Sequence, residues 1–320
     1  MRESNWDTVK GIGILLVIVN HIIGCPIISM FHMPLFFIAS GYFVKPQRDK
    51  WYLMKNFKSL VMPYLKFGLI ITILFFLQNK NQGVIYLKDF LVGIPFKNEY
   101  GVSFGPLWFL LSLFWCKILY NVLSFRLNND KILIVAFVSS FALVLISRYF
   151  DISQIPYFIS TSLPAIFFYS MGAFWKEKIN IGKVNYYHIF WLFVLIISIS
   201  CYQLNNPGLN YSLSRLPYFP FCLINGFTYT FLLYFVVSKL SVKYAKKYIM
   251  GGVKILSDCG RYSLDIFLFH SIEFAFVIGF VREYGSSLCH SPILLIVINI
   301  AINVSLAFLY VKLKNRINKI

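Results

Sequence analysis

Residues Asp7 to Phe43 read DTVKGIGILLVIVNHIIGCPIISMFHMPLFFIASGYF, and this stretch decides the fold. It contains two apolar runs of helical length. The first carries Lys10 at its base and His21 near its far end; His32 stands at the head of the second. On a helix, the eleven residues from Lys10 to His21 turn through about 1100°, which leaves an offset of about 20° and a rise of about 16.5 Å. The two side chains therefore share a face. Asp7 lies one turn below Lys10, at the i, i+3 spacing at which a carboxylate and an ammonium pair. An acid, a base and an imidazole are aligned along one membrane-length helix. Taken singly, Lys10 reads better as a snorkelling anchor and His21 as a polar contact to a neighbouring helix. Ionisable groups inside a span are costly, however, and the aligned set points to function.

Composition places this helix in a membrane. Of 320 residues, 58% are hydrophobic, 19% aromatic and only 13% charged, and long apolar runs recur throughout, which is not the make-up of a soluble core. Ten spans are expected, at 8–28, 31–46, 60–78, 104–125, 132–150, 157–175, 186–204, 217–239, 261–282 and 292–312. The first run, without a small-residue cleavage site after it, reads as a span and not a signal peptide. The fold class is all-α, a polytopic membrane protein, with 1–320 as a single transmembrane domain free of Gly-, Ser- or Pro-rich linkers. The net charge of +18 does not imply nucleic acid, because the charges alternate by loop. With the N-terminus inside, 22 Lys and Arg fall on the inner side and 6 on the outer, so the positive-inside rule puts both termini in the cytoplasm. The six cysteines are scattered without pair spacing and no Cys/His zinc pattern occurs, so neither a disulfide framework nor a metal is expected. The longest external connection, 79–103, is rich in Gly and Pro and reads as irregular and partly re-entrant.

Other residues carry chemistry of their own. Met33-Pro34 after His32 suggests that His32 sits at or near the N-cap of the second span, where a helix N-terminus disfavours a cation and keeps an imidazole neutral and basic; an interfacial capping role is the plainer reading. Ala39-Ser40-Gly41 offers small side chains, for close helix packing or for the passage of a slender acyl carrier. In the ninth span His270 and Glu273 stand at i, i+3, with Asn299 and Asn303 on the last span available to hydrogen-bond to them. They read either as a carboxylate orienting an imidazole or as a polar seam between helices. Lys117, inside the fourth span, has no assignable partner.

Together these residues form a pattern. Lys10, ten intervening residues and His21, followed by FHMPLFFIASGYF, resemble the acyltransferase 3 family of integral membrane O-acyltransferases. Lys55-Asn56-Phe57-Lys58 leading to Met62-Pro63-Tyr64 is similar to the family's basic loop entering the third span, and Leu107-Trp108-Phe109-Leu110 to the opening of its fourth. Gly260-Arg261-Tyr262-Ser263-Leu264-Asp265-Ile266-Phe267-Leu268-Phe269-His270 matches its late element ending in His. Lysines stand at 10, 55 and 58 where arginines are common, which substitutes a point charge for a bidentate fork. The chain resembles the minimal form of the family, which includes sugar acetylases related to the fucose 4-O-acetylases.

The resemblance implies acyl transfer, acetyl above all, from cytoplasmic acetyl-CoA or another acyl-CoA as co-substrate, with no permanently bound cofactor. The acceptor it implies is a sugar hydroxyl of a cell-surface or lipid-linked glycan. His21 or His32 is then the base for the hydroxyl or a transient acyl carrier, with His21 the essential one. Asp7 and Lys10 complete the catalytic set, and Lys10, Lys55 and Lys58 meet the phosphates of CoA. Ser40, Trp108, His270 and Glu273 are supporting residues. The implied location is a bacterial-type cytoplasmic membrane, with lipids as the remaining partners. A glycan or lipid-linked sugar transporter is the alternative, although the matched pair of broken helices typical of transporters is missing from the sequence.

Overall fold

A computed structural model of the chain describes residues 4–78, 80–94, 105–204, 215–216, 219–243, 247–273 and 292–317, which are helical without a strand. Helix α1 covers Ser4–Ile23 and α2 Pro26–Tyr42; α3 (Trp51–Asn56) runs through a π-helical turn at Phe57–Val61 into α4 (Met62–Gln78). Then follow α5 (Lys80–Val92), α6 (Trp108–Leu123), α7 (Asn129–Ile146), α8 (Ile159–Lys178), α9 (Tyr186–Leu204), α10 (Phe221–Lys243) and α11 (Lys247–Arg261). Helix α12 is described over 263–273, and α13 is Pro292–Ile317. Six helices are long and apolar enough to cross a membrane: Asn5–Ile23, Trp51–Leu77, Asn129–Ile146, Pro156–Lys178, Phe221–Leu240 and Ile293–Arg316. Shorter apolar helices at Pro26–Tyr42, Trp108–Leu123 and Tyr187–Tyr202 fall on three more expected spans. The remaining one, 261–282, lies within the described residues only to 273.

Boundaries moved where backbone chemistry overrides hydropathy. Apolar residues run unbroken through the first turn, but Gly24 takes φ +62° and its N–H caps the Asn20 carbonyl at 2.8 Å, the glycine C-terminus of a helix. Pro26 then starts α2. His32 is consequently well inside α2 and not at its N-cap as expected. The basic segment before the third span is likewise helical from Trp51, not a loop. Its π turn has a local cause: Pro63 has no N–H for the Ser59 carbonyl and its ring crowds that turn, so the ladder shifts and the Met62 N–H reaches Phe57 O. Residues 80–92 of the expected irregular loop form α5, which folds back along α4 through Phe75–Tyr86 ring contact at 4.6 Å and a Tyr64 hydroxyl donating to Phe90 O at 2.9 Å. This part of the connection is thus a regular helix and not irregular; 95–104 lie outside the described residues.

Two features fix how the helices stand relative to one another. At one end, Trp6 of α1 packs against Tyr42 at the end of α2 (5.1 Å), Trp175 near the end of α8 (5.2 Å) and Tyr234 of α10 (4.8 Å). The start of α1 and later parts of α2, α8 and α10 therefore meet at one end. The second feature is glycine contact. Gly11 lies against the Leu256 carbonyl, and Gly260 against the Asp7 carbonyl, each so close that a Cβ would overlap the facing backbone. Gly11 and Gly260 meet at this crossing, and ten residues further along each segment His21 comes beside His270, so α1 runs parallel to α11–α12. Without side chains at these crossings the backbones approach closely enough to lock the register. Gly260→Leu is expected to force α1 away and destabilise the protein by about 1–3 kcal/mol. Gly251→Ala, on the same helix with nothing within 4 Å, is expected to be neutral or slightly stabilising. Thermal unfolding of both variants in detergent checks the contrast, and equal midpoints would contradict it.

Candidate active site

The face of α1 carries the site. Asp7, almost fully buried, pairs with Lys10 at 2.8 Å one turn on. Burying that carboxylate beside the ammonium holds Lys10 in place rather than leaving it to sweep the membrane surface. Further along this face come Ile14 and then His21.

At the far end three side chains from two parallel helices form a hydrogen-bonded series. His21 Nδ1 lies 2.7 Å from His270 Nε2, with the rings stacked at 4.9 Å and 23°. His270 is fully buried, and its Nδ1 lies 2.8 Å from Glu273 Oε2. Asn303 of α13 donates to the same oxygen at 2.6 Å, while also reaching the Asn299 carbonyl at 2.9 Å. The proton positions follow from the acceptor at the end. A carboxylate at Glu273 takes the Nδ1–H of His270, which leaves its Nε2 lone pair to accept the Nδ1–H of His21. The basic nitrogen of the pair is then His21 Nε2. Asn20, next to it, is fixed by donating to Ser29 Oγ at 3.0 Å across the α1–α2 turn.

Two cavities lead from the Trp6 end toward this series. The lower, about 380 Å³, is lined among others by Lys45, Tyr52, Lys55 and Asn56. The upper, about 260 Å³, is walled by Ile14, Phe36, Leu60, Phe109, Leu264 and Phe267. Lys10, Ser40 and Lys117 line both and form the neck between them. The segment after α2 is held over the mouth by reciprocal bonds: Asn121 Oδ1 accepts from the Gln47 N–H (2.9 Å) and its amide donates to Gln47 O (3.0 Å). Phe267 lies one turn before His270, so the upper cavity ends just short of the imidazoles.

The structure thus gathers Asp7, Lys10, Ser40 and Lys55 around one cleft and His21, His270 and Glu273 at its end. Three expected residues fall elsewhere. Lys58 is exposed on the π turn and lines neither cavity. Trp108 packs behind Phe109 at 6.3 Å, and it is Phe109 that reaches the cavity. His32 is buried with its Nδ1 donating to Ile28 O of its own helix at 2.8 Å, the plain structural use of an imidazole. Lys117 was missed. It and Lys55 carry no ion pair among the described residues, so they present unneutralised charge to the lower cavity and its neck. A lysine alone inside an apolar run was the available signal. Gly41 of the small-residue patch sits against the Tyr169 backbone of α8 while Ser40 faces the neck, so that patch serves packing and lining together. Among the described residues no three His, Cys, Asp or Glu side chains gather as a metal site.

A family model for acyltransferase 3, described as an acyltransferase domain, matches residues 3–312. No curated protein and no solved structure matches the chain.

Proposed function

Because the chain belongs to the acyltransferase 3 family, we propose that this membrane acyltransferase moves an acyl group from cytoplasmic acyl-CoA to a sugar hydroxyl of a cell-surface or lipid-linked glycan. Acetyl is the group of choice and a bacterial-type cytoplasmic membrane its place. The topology that serves this is ten crossings with both termini cytoplasmic, which puts the Trp6 end and its lysines inside. The observation that supports the reading is the Glu273–His270–His21 series standing at the end of a lysine-lined cleft.

The chemistry then runs along α1. Phosphates of the donor meet Lys55, Lys10 and Lys117 at the mouth and neck, where two of the three ammoniums are unpaired. The pantetheine arm is about four residues' worth of extended chain, roughly 15 Å, close to the rise of about 16.5 Å between Lys10 and His21. Its thioester therefore arrives beside the imidazoles. A sugar hydroxyl is a poor nucleophile until its proton is removed. His21 Nε2 takes that proton as the hydroxyl oxygen bonds to the thioester carbonyl carbon. The C–S bond breaks, and the departing thiolate recovers the proton from the His21 imidazolium. Negative charge on Glu273, relayed through His270, stabilises that imidazolium while it exists.

The test is transfer of radiolabelled acetyl from acetyl-CoA to the surface glycan of membranes holding the protein. Label in the glycan, absent from membranes without the protein, is the expected result. No label, together with protein-dependent flux of labelled sugar across the same vesicles, would replace the enzyme by a transporter.

A further inference from the structure

At the end of the bundle away from Trp6, another cavity takes no part in the mechanism above. Helix α7 runs antiparallel to α8, since Asn129 at its start donates to Glu177 near the end of α8 (2.6 Å) and the Ser140 hydroxyl in its middle to Leu163 O (3.2 Å). Its last turn therefore lies at the same end of the bundle as His21. Just beyond that turn Arg148, Tyr149, Phe150 and Asp151 line a cavity of about 370 Å³ together with Arg215, from the connection between α9 and α10. The chain is fixed here: the Tyr149 and Phe150 N–H groups donate to Ile146 O at 3.0 and 3.1 Å, and Asp151 Oδ1 accepts from the N–H and the hydroxyl of Ser153 at 3.2 and 2.5 Å. Neither arginine forms an ion pair among the described residues. A helix C-terminus favours a nearby cation, which accommodates Arg148, and rings are common at a membrane surface, which accommodates Tyr149 and Phe150. Neither reason brings Arg215 into the same cavity, and two like charges lining one cavity repel until an anion comes between them. Lysine outnumbers arginine 22 to 8 in this chain, yet both cations here are arginines, whose planar fork grips a carboxylate or phosphate with two hydrogen bonds. Of the 6 Lys and Arg expected on the outer side, these two share one cavity.

We infer that this cavity is a subsite for the acceptor, in which Arg148 and Arg215 hold a carboxylate or phosphate of an acidic glycan while Tyr149 and Phe150 offer their rings to a sugar face. The inference rests on the glycan-acylation reading above and narrows its acceptor to an anionic polymer. Asp151 in the same wall favours a ligand that brings hydroxyl donors beside its anion, as a sugar does and the phosphodiester of a lipid headgroup does not. Helix α7 packs on α8, and α2 joins α8 to α1, so helix spacings of about 8–10 Å each separate the cavity from His21. The anion held there belongs to a different sugar from the one acylated, and the acceptor is several sugars long.

The experiment places the full chain in phosphatidylcholine nanodiscs, which leave both faces open to solution, and follows radiolabelled acetyl from acetyl-CoA into purified surface glycan of the source cell. The glycan is used as isolated and after carboxyl reduction and dephosphorylation. For the wild type, removing the acid groups should raise the KM for glycan about tenfold or more, the lower end of a hydrogen bond to a charged group. Arg148→Gln and Arg215→Gln should each raise the KM for intact glycan about tenfold on the same ground, with kcat and the KM for acetyl-CoA unchanged, and the double variant should no longer distinguish the two glycans. A merely structural role would not make the loss depend on the charge of the glycan. The two arginines lie on separate connections and the wild-type comparison needs neither variant, so misfolding of one does not decide the matter. A wild type that uses neutralised glycan as well as intact glycan overturns the inference, as does an acceptor glycan that carries neither carboxylate nor phosphate. So do folded variants that keep the wild-type KM. If the variants differ from the wild type only when phosphatidylglycerol is added to the nanodiscs, whatever the charge of the glycan, the arginines grip phospholipid and the inference is overturned. If the wild type labels neither glycan, the acyl-transfer reading itself fails, and the inference falls with it.

Discussion

With His21 replaced by alanine, acyl transfer is expected to drop by about 10²–10⁴-fold, the contribution of a positioned general base, and to reach background if the imidazole also carries the acyl group. The expectation comes from position as much as residue type. His21 is the only imidazole that belongs both to the Lys10 face of α1 and to the hydrogen-bonded series ending at Glu273. The packing of α1 against α11 is made by Gly11 and Gly260, two turns or more from His21, so the truncation leaves the seam intact and the amount of folded protein should match the wild type. His32→Ala is the informative companion. Its Nδ1 is committed to Ile28 O, and its loss should alter stability rather than the chemical step. Wild-type transfer should also fall toward acid pH, because a protonated imidazole has no lone pair with which to take the hydroxyl proton. Labelled-acetyl transfer at matched protein levels decides the case, and His21→Ala activity within tenfold of wild type would remove His21 from the centre of the mechanism.

What could be read from the chain without its structure was whatever depends on one helix at a time. The alignment of Asp7, Lys10 and His21 follows from 100° per residue, and the i, i+3 pairing of His270 with Glu273 from the same arithmetic; both contacts form. Even the bond from Asn303 to Glu273 was open to inference, because polar side chains on apolar helices seek one another. The contact between His21 and His270 was not. They are 249 residues apart, and what brings them together is a parallel crossing set by two glycines whose role appears only when the opposing backbone is in place. Lys117 was hidden for a related reason: a lone lysine in an apolar run acquires meaning from the cavities on either side of it, and those are made by α1, α2 and α6 jointly. His32 misled because hydropathy does not register a glycine turn. Once Gly24 ends α1, α2 starts eight residues before Pro34, and the imidazole is carried from the cap into the helix.

Glu273→Gln is expected to lower the rate constant for transfer by about 10²-fold, at the lower end of what general base catalysis contributes, with the KM for acyl-CoA unchanged. The donor's handle is at Lys10, Lys55 and Lys117, a helix length away, so a change at Glu273 leaves ground-state binding of the donor alone and touches only the step in which the imidazole gains a proton. The amide is nearly the same size and keeps an oxygen where Asn303 donates at 2.6 Å, which holds that oxygen, rather than the NH₂, against both Asn303 and His270. Orientation of His270 is therefore retained and the negative charge alone is lost. An unfolded or displaced α12 would instead abolish transfer and donor binding together. The carboxylate is also where the site is least symmetric: Oε2 receives two hydrogen bonds while Oε1 is buried with no partner among the described residues. Charge concentrated on the bonded oxygen faces His270, and burial of its neighbour away from water keeps the local dielectric low, so the carboxylate acts on the imidazole pair with little screening. Initial rates across acyl-CoA concentration for wild type and Glu273→Gln separate the two quantities. A raised KM with an unaltered rate constant would make Glu273 part of donor binding and leave the two histidines without the anion that polarises them.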